Sequence, residues 1–171
     1  MLKSSLLILW LVHIVTVAFA SPVDTGPLQA RAELAPLAGS TIAGTVDFMQ
    51  VGGQLHVVAR LHGLAPGLHA FHVHQNGDCT SAATTGGNLD PGNGGGARSE
   101  HHGGEFGAID ADEEGRAALN MLLESFSLAR EGAAGSILGR SIVVHSSPDD
   151  FSGSPADTKG KTLACGVIRP A

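Results

Sequence analysis

Thirteen consecutive residues, Gly67-Leu-His-Ala-Phe-His-Val-His-Gln-Asn-Gly-Asp-Cys79, hold three of the chain's nine histidines and one of its two cysteines. Read as an extended strand, they put His72 and His74 on one face, with Val73 between them turned the other way. Two imidazoles so spaced can reach one metal ion, and imidazole serves copper and zinc alike. His69 has the opposite parity, beside Phe71 and Val73, and reads as a structural histidine. An H-x-H pair also arises by chance on half-buried strands, so the remaining polar residues have to decide.

Those residues collect in two other places. Val143-Val144-His145 ends an apolar run with an imidazole, at the mouth of the polar segment Ser146–Lys161. His101 and His102 lie in a Gly-rich stretch, and Glu105 follows His102 by three, a histidine–carboxylate spacing that suits zinc. Asp149 and Asp150 follow His145 and could orient ligating imidazoles from outside the ligand shell. Cys79 and Cys165 make an even count that, in an exported chain, reads as a disulfide.

Export is expected from the first twenty residues. Lys3 supplies a positive start, Leu6–Val17 is apolar apart from His13, and Ala18-Phe19-Ala20 is a small-x-small cleavage site after Ala20. Residues 1–20 are thus a predicted signal peptide, 21–37 an N-terminal arm with a first strand, and 38–171 one barrel domain. No later segment is long and apolar enough for a membrane span. The mature chain would carry nine basic against sixteen acidic residues, a balance of −7. Such a surface argues against nucleic acid and anionic membranes as partners. The only Trp leaves with the signal peptide and there is no Tyr, so stacking platforms for bases are missing too.

The elements that must position these residues are strands. Ala32–Pro36 is a short first strand, and Thr41–Met49 turns Ile42, Gly44, Val46 and Phe48 to one face. A Val51-Gly52-Gly53 turn leads into Gln54–Leu61, with Leu55, Val57, Ala59 and Leu61 inward and His56 outward. His62 is placed on the surface. Phe106–Asp110 and Arg116–Leu123 form a hairpin around Asp112-Glu-Glu-Gly115. Ser125–Leu128 and Ser136–His145 are two further β-like runs, and Leu163–Ile168 is the last strand. No segment carries helical apolar spacing outside the predicted signal peptide. Short strands separated by Gly-rich turns imply an all-β sandwich or barrel, with two long loops, 76–104 and 146–161, that are functional rather than filler.

Taken together, Gly67–His74, Gly77-Asp-Cys79, Gly86-Gly-Asn-Leu-Asp-Pro91, Ile137-Leu-Gly-Arg-Ser-Ile-Val-Val-His145, Asp149-Asp150 and Leu163-Ala-Cys-Gly-Val-Ile168 stand in one order. In that order, over roughly residues 38–168, the chain resembles a secreted copper/zinc superoxide dismutase. The resemblance implies an eight-stranded Greek-key β-barrel of immunoglobulin-like sandwich topology and a Cys79–Cys165 disulfide. It implies His72, His74 and His145 as copper ligands and superoxide as the small-molecule substrate, converted to oxygen and hydrogen peroxide. It also leaves room for a homodimer.

The match is incomplete in places that matter. The position of the family's metal-bridging histidine is Asn88, and that of its active-site arginine is Thr162. His102 and Glu105 match only part of a zinc site, with His101 or Asn93 as further candidates. Lys159 or Lys161 could stand in for the missing positive charge. These departures imply a slowed dismutase that relies on copper, with zinc the weaker expectation. Two alternatives stay open. One is a metal-holding relative without turnover; the other is an interaction module that has kept only the barrel. A copper-chaperone role lacks its C-x-C or C-x-x-C thiol pair.

Overall fold

The structure, a computed structural model, describes residues 28–37, 39–89, 105–148 and 160–171. Among the described residues nine strands form: β1 Gln29–Pro36, β2 Ala43–Val51, β3 Gln54–His62, β4 Gly67–His74, β5 Glu105–Ala111, β6 Arg116–Leu123, β7 Ser141–His145, β8 Thr162–Val167 and β9 Arg169–Pro170. Around the sheet the order is β2-β3-β6-β5-β4-β7-β8-β1, and β1 pairs back onto β2. The result is a closed eight-stranded antiparallel barrel. The two-residue β9 extends it against Ala30 and Arg31 of β1. The β3–β6 and β4–β7 neighbours are the non-sequential pairings of a Greek key.

Alternation in the sequence becomes burial in the barrel. Leu55, Val57, Ala59 and Leu61 of β3 face the core, as do Ile42, Val46 and Phe48. His56 stands outward, with Nε2 2.7 Å from Asn120 Oδ1, and His62 is exposed. β1 begins at Gln29, three residues earlier than predicted, because its first residues pair with Met49, Phe48 and Asp47 of β2. That register is a long-range match that local pattern does not contain.

At the β5–β6 turn, the Asp112 carboxylate accepts the backbone N–H of Arg116 at 2.8 Å and of Glu114 at 3.1 Å. It also accepts Arg116 Nε at 3.0 Å. These contacts, the Arg116 backbone N–H foremost, hold its carboxyl below the usual carboxylate range. Gly115 completes the turn at φ +74°, a left-handed value that glycine adopts without cost. Beyond the turn the two strands diverge, and their only register pair is Ala111 with Ala117. Phe126 packs beside this seam, edge-on to Phe106 at 5.9 Å, and Phe106 in turn contacts Phe71 and Phe48.

The predicted strands at Ser125–Leu128 and Ser136–His145 need correction. Only Ser141–His145 is a strand, and the rest meets in one isolated parallel bridge, Ser127 with Ser136. Phe126, Leu128, Ile137 and Leu138 are buried as a plug. Side chains and backbone share their hydrogen bonds: Gln50 Oε1 accepts the Leu128 N–H and Ser136 Oγ the Leu138 N–H, while the Ile137 N–H donates to Ser127 O. Apolar alternation is present there without a ladder to belong to.

Candidate metal centre

Strand β4 sits between β5 and β7, and its two faces carry different chemistry. Phe71 and Val73 point into the core, opposite Val144 and Ile142 of β7. His72 and His74 take the outer face, level with Val143 and Ser141, and His145 has the same parity two residues further along β7. An outer face is normally wet, yet His72, His74, Ser141, Val143 and His145 are all buried. The segment from Gln75 to Leu89 folds back over it and forms a roof. Gln75 donates to Gly87 O at 2.8 Å, Asn76 to Thr85 O at 2.9 Å, and Leu89 to Val73 O at 2.8 Å. This short antiparallel pairing sets Asn88 across from His74.

Hydrogen-bond partners bear on which ring nitrogen carries the proton in two of the imidazoles, His74 and His72. His74 Nδ1 lies 2.8 Å from Gly86 O, a carbonyl that can only accept, so Nδ1 donates and Nε2 presents a lone pair. That Nε2 faces His145 Nε2 at 3.3 Å. Two nitrogens each about 2.0–2.1 Å from one ion at tetrahedral angles stand about 3.4 Å apart. The spacing therefore fits a shared ion. His72 is set the other way round: Asn88 Nδ2 donates to its Nδ1 at 3.3 Å, so Nδ1 holds the lone pair. The His72 and His74 rings lie 5.6 and 5.4 Å from the His145 ring. Imidazole donors suit copper and zinc alike, and among the described residues no group of three His, Cys, Asp or Glu is gathered closely enough to hold a metal ion as it stands.

His69 stands apart on the core side. Its ring spans two backbone carbonyls, with Nδ1 2.9 Å from His145 O and Nε2 2.8 Å from Ala65 O. It ties the end of β7 to the turn before β4 and so acts on the site through the backbone.

Three anchors fasten the roof. Cys79 is bonded to Cys165 of β8, with Cα atoms 5.6 Å apart, within the usual range for disulfides. Arg140 Nη1 donates to Gln75 O at 2.6 Å, and Ser141 Oγ donates to Asn76 O at 2.7 Å. Gly77 packs directly on the backbone of Gly139, where an added Cβ would collide with the Gly139 carbonyl. Gly77→Ala is accordingly expected to destabilise the protein by about 1–3 kcal/mol. It should also weaken metal binding, since the roof has to lift; an unchanged denaturation midpoint would contradict this contact. Sequence reading did not single out Arg140, Ser141 or Thr85. The first two lay within a quoted motif, whereas Thr85 had no signal at all.

The other predicted residues fall as follows. Thr162 is buried and pairs with His145 across β7–β8, where the register shifts. Lys161 beside it is exposed, and its backbone exchanges hydrogen bonds with Ser146: Ser146 N to Lys161 O, and Lys161 N to Ser146 Oγ, both 2.9 Å. Glu105 opens β5 and is paired in register with His72. His101, His102, Asn93, Asp149, Asp150 and Lys159 lie outside the described residues, as do the predicted signal peptide and arm through residue 27.

A Greek-key barrel with imidazoles from two neighbouring strands, gathered under a disulfide-tethered roof, defines a class of small metal-binding β-barrels. Within it the comparison is specific. The sequence model of the copper/zinc superoxide dismutase family matches residues 42–168, and the chain belongs to that family. It is 34% identical over 154 residues to superoxide dismutase [Cu-Zn] 3 of Arabidopsis thaliana, covering 84% of this chain and 91% of that protein. It is 32% identical over 162 residues to a superoxide dismutase [Cu-Zn] of Deinococcus radiodurans, covering 85% and 87%. The family uses superoxide as its substrate, and membership implies binding of copper and zinc.

Proposed function

We propose that this chain is a secreted superoxide dismutase whose copper is held by His72, His74 and His145. What supports this most is the 3.3 Å approach of His74 Nε2 to His145 Nε2, with the His72 Nδ1 lone pair on the same face. A copper ion bound there supplies the one-electron chemistry that takes one superoxide to oxygen and a second, with two protons, to hydrogen peroxide. The protein's part is to hold three neutral imidazoles with their lone pairs inward, under a roof that limits water. Asn88 occupies the position from which an imidazole would pass a proton, and an amide cannot do so. Exposed Lys161 would offer positive charge to the incoming anion, and Lys159 is the second candidate for that role. His102 and Glu105 would hold zinc in a second, weaker site, and Asp149 would orient its neighbours.

Export follows from the predicted leader, residues 1–20. The Cys79–Cys165 bond fits an oxidising compartment. Among the described residues no helix is long and apolar enough to cross a membrane.

Metal analysis of the mature, disulfide-bonded protein tests the assignment. Wild type should take up about one copper per chain. His74→Ala and His145→Ala should each lose more affinity than the roughly 10–100-fold that removal of an outer-shell partner costs. Copper bound equally well by His145→Ala would refute the site. A second reading, a copper-holding protein with little turnover, is favoured by Asn88 and by Thr162 at the arginine position. A dismutase assay on the copper-loaded wild type separates the two.

A further inference from the structure

Thr85 is the one buried polar residue of the roof that the chemistry above does not use. It is fully buried although it lies in an exposed turn between Ser81 and Gly87. Its Oγ1 lies 2.8 Å from Ala82 O and 3.0 Å from His74 Nδ1. A hydroxyl has one proton and two lone pairs. The proton goes to Ala82 O, because a carbonyl only accepts and the other carbonyl in reach, Gly86 O, is further away at 3.4 Å. A lone pair is thus left facing His74 Nδ1. The His74 N–H is shared between two acceptors, Thr85 Oγ1 and Gly86 O.

From this geometry we infer that Thr85 is a positioning residue for His74, resting on the copper reading of that histidine. Gly86 O accepts from Nδ1 and sets the tautomer. A second acceptor on the same N–H restrains the ring plane and so aims Nε2 at His145. Sharing the N–H with two oxygens also makes Nε2 a better electron donor, as acceptors behind ligating imidazoles do elsewhere. The Ala82 bond holds the hydroxyl in place, because threonine is stiff at χ1 and its rotamer is locked by that turn. Backbone and side chain of the same residue serve the site, since Thr85 O also accepts the N–H of Asn76.

The test uses the full mature protein with Thr85→Val, which keeps the shape and loses the hydroxyl, and Thr85→Ser, which restores it. Copper affinity is measured by competition, the ligand field by electron paramagnetic resonance of the cupric protein, and stability by melting of the metal-free form. Thr85→Val is expected to lose about tenfold in affinity and to show altered cupric parameters. Thr85→Ser should recover both. A Thr85→Val protein with lower thermal stability but wild-type affinity and spectrum would overturn the inference, leaving the hydroxyl a turn-former only. His74→Ala is the control: if it binds copper as wild type does, the copper reading of His74 fails, and the role of Thr85 with it.

Discussion

Replacing Asn88 with histidine is expected to raise the dismutase rate of the copper-loaded protein by about tenfold or more. Positioned proton-transfer groups typically contribute roughly 10²–10⁴-fold, and this site has a neutral amide where one would stand. Geometry favours the substitution. Asn88 Nδ2 already lies 3.3 Å from His72 Nδ1, in a segment held by backbone hydrogen bonds to Val73 of β4 and to Gln75 and Asn76 just after it. An imidazole there needs no new loop path. It also frees the His72 lone pair from the amide that now donates to it. Adding Thr162→Arg should raise the rate further and steepen its decline with ionic strength, because charge steering is screened within a Debye length of about 10 Å at 0.1 M salt. Position 162 is suited to that test, since it pairs with His145 itself. It is also buried, so the arginine must emerge beside Lys161, and melting temperature should be recorded alongside rate. If wild type already ran near the diffusional ceiling of roughly 10⁹ M⁻¹s⁻¹ and neither variant gained, Asn88 and Thr162 would not be deficiencies.

Loss of the Cys79–Cys165 bond should have the largest effect on stability. The bond closes a loop across a sequence separation of 86 residues. On the chain-entropy model its removal costs about 4.6 kcal/mol. Unfolding in denaturant should show the midpoint of Cys79→Ser/Cys165→Ser well below that of the oxidised protein. Copper affinity should fall as well, because Cys79 lies in the roof that carries Asn88 and Thr85, and the bond is its only covalent anchor. Equal midpoints and equal affinities would mean that Arg140, Ser141 and the Gly77 contact suffice to hold the roof.

What the sequence made legible was local. The period-2 runs of β2 and β3 and the Asp112–Gly115 turn are written in neighbouring residues, and the structure forms them nearly as read. The H-x-H parity of His72 and His74 belongs with them. The copper-ligand role of His145 and the meaning of Asn88 came from ordered motifs, which carry long-range information that periodicity lacks. The plug at 125–138 misled because Phe126 and Leu128 alternate as a strand does. Their segment meets the Gln50 side chain and one isolated bridge to Ser136 rather than a neighbouring strand. Thr85 was invisible for a related reason. Its burial and its bond to His74 exist only once the roof has folded back over β4. The outward-facing yet buried histidine face could not be anticipated from β4 alone either, since burial there is supplied by a loop.

The barrel's closing seam sets the timing of folding. Ala35 and Pro36 of β1 pair with Cys165 and Ala164 of β8, residues about 130 positions apart. Contacts of such separation form late and slowly, because much chain must be ordered before they give any return. Until Thr162–Val167 is available, β7 and the inner end of β1 are open edges of the kind that recruit other chains. The first seven barrel strands can assemble as a curved, unclosed sheet, but the tether for the roof does not yet exist. The metal pocket is therefore completed last, by the strand that also brings the second cysteine. Chains cut short before Thr162, and so without β8, should aggregate rather than fold into a smaller, working barrel.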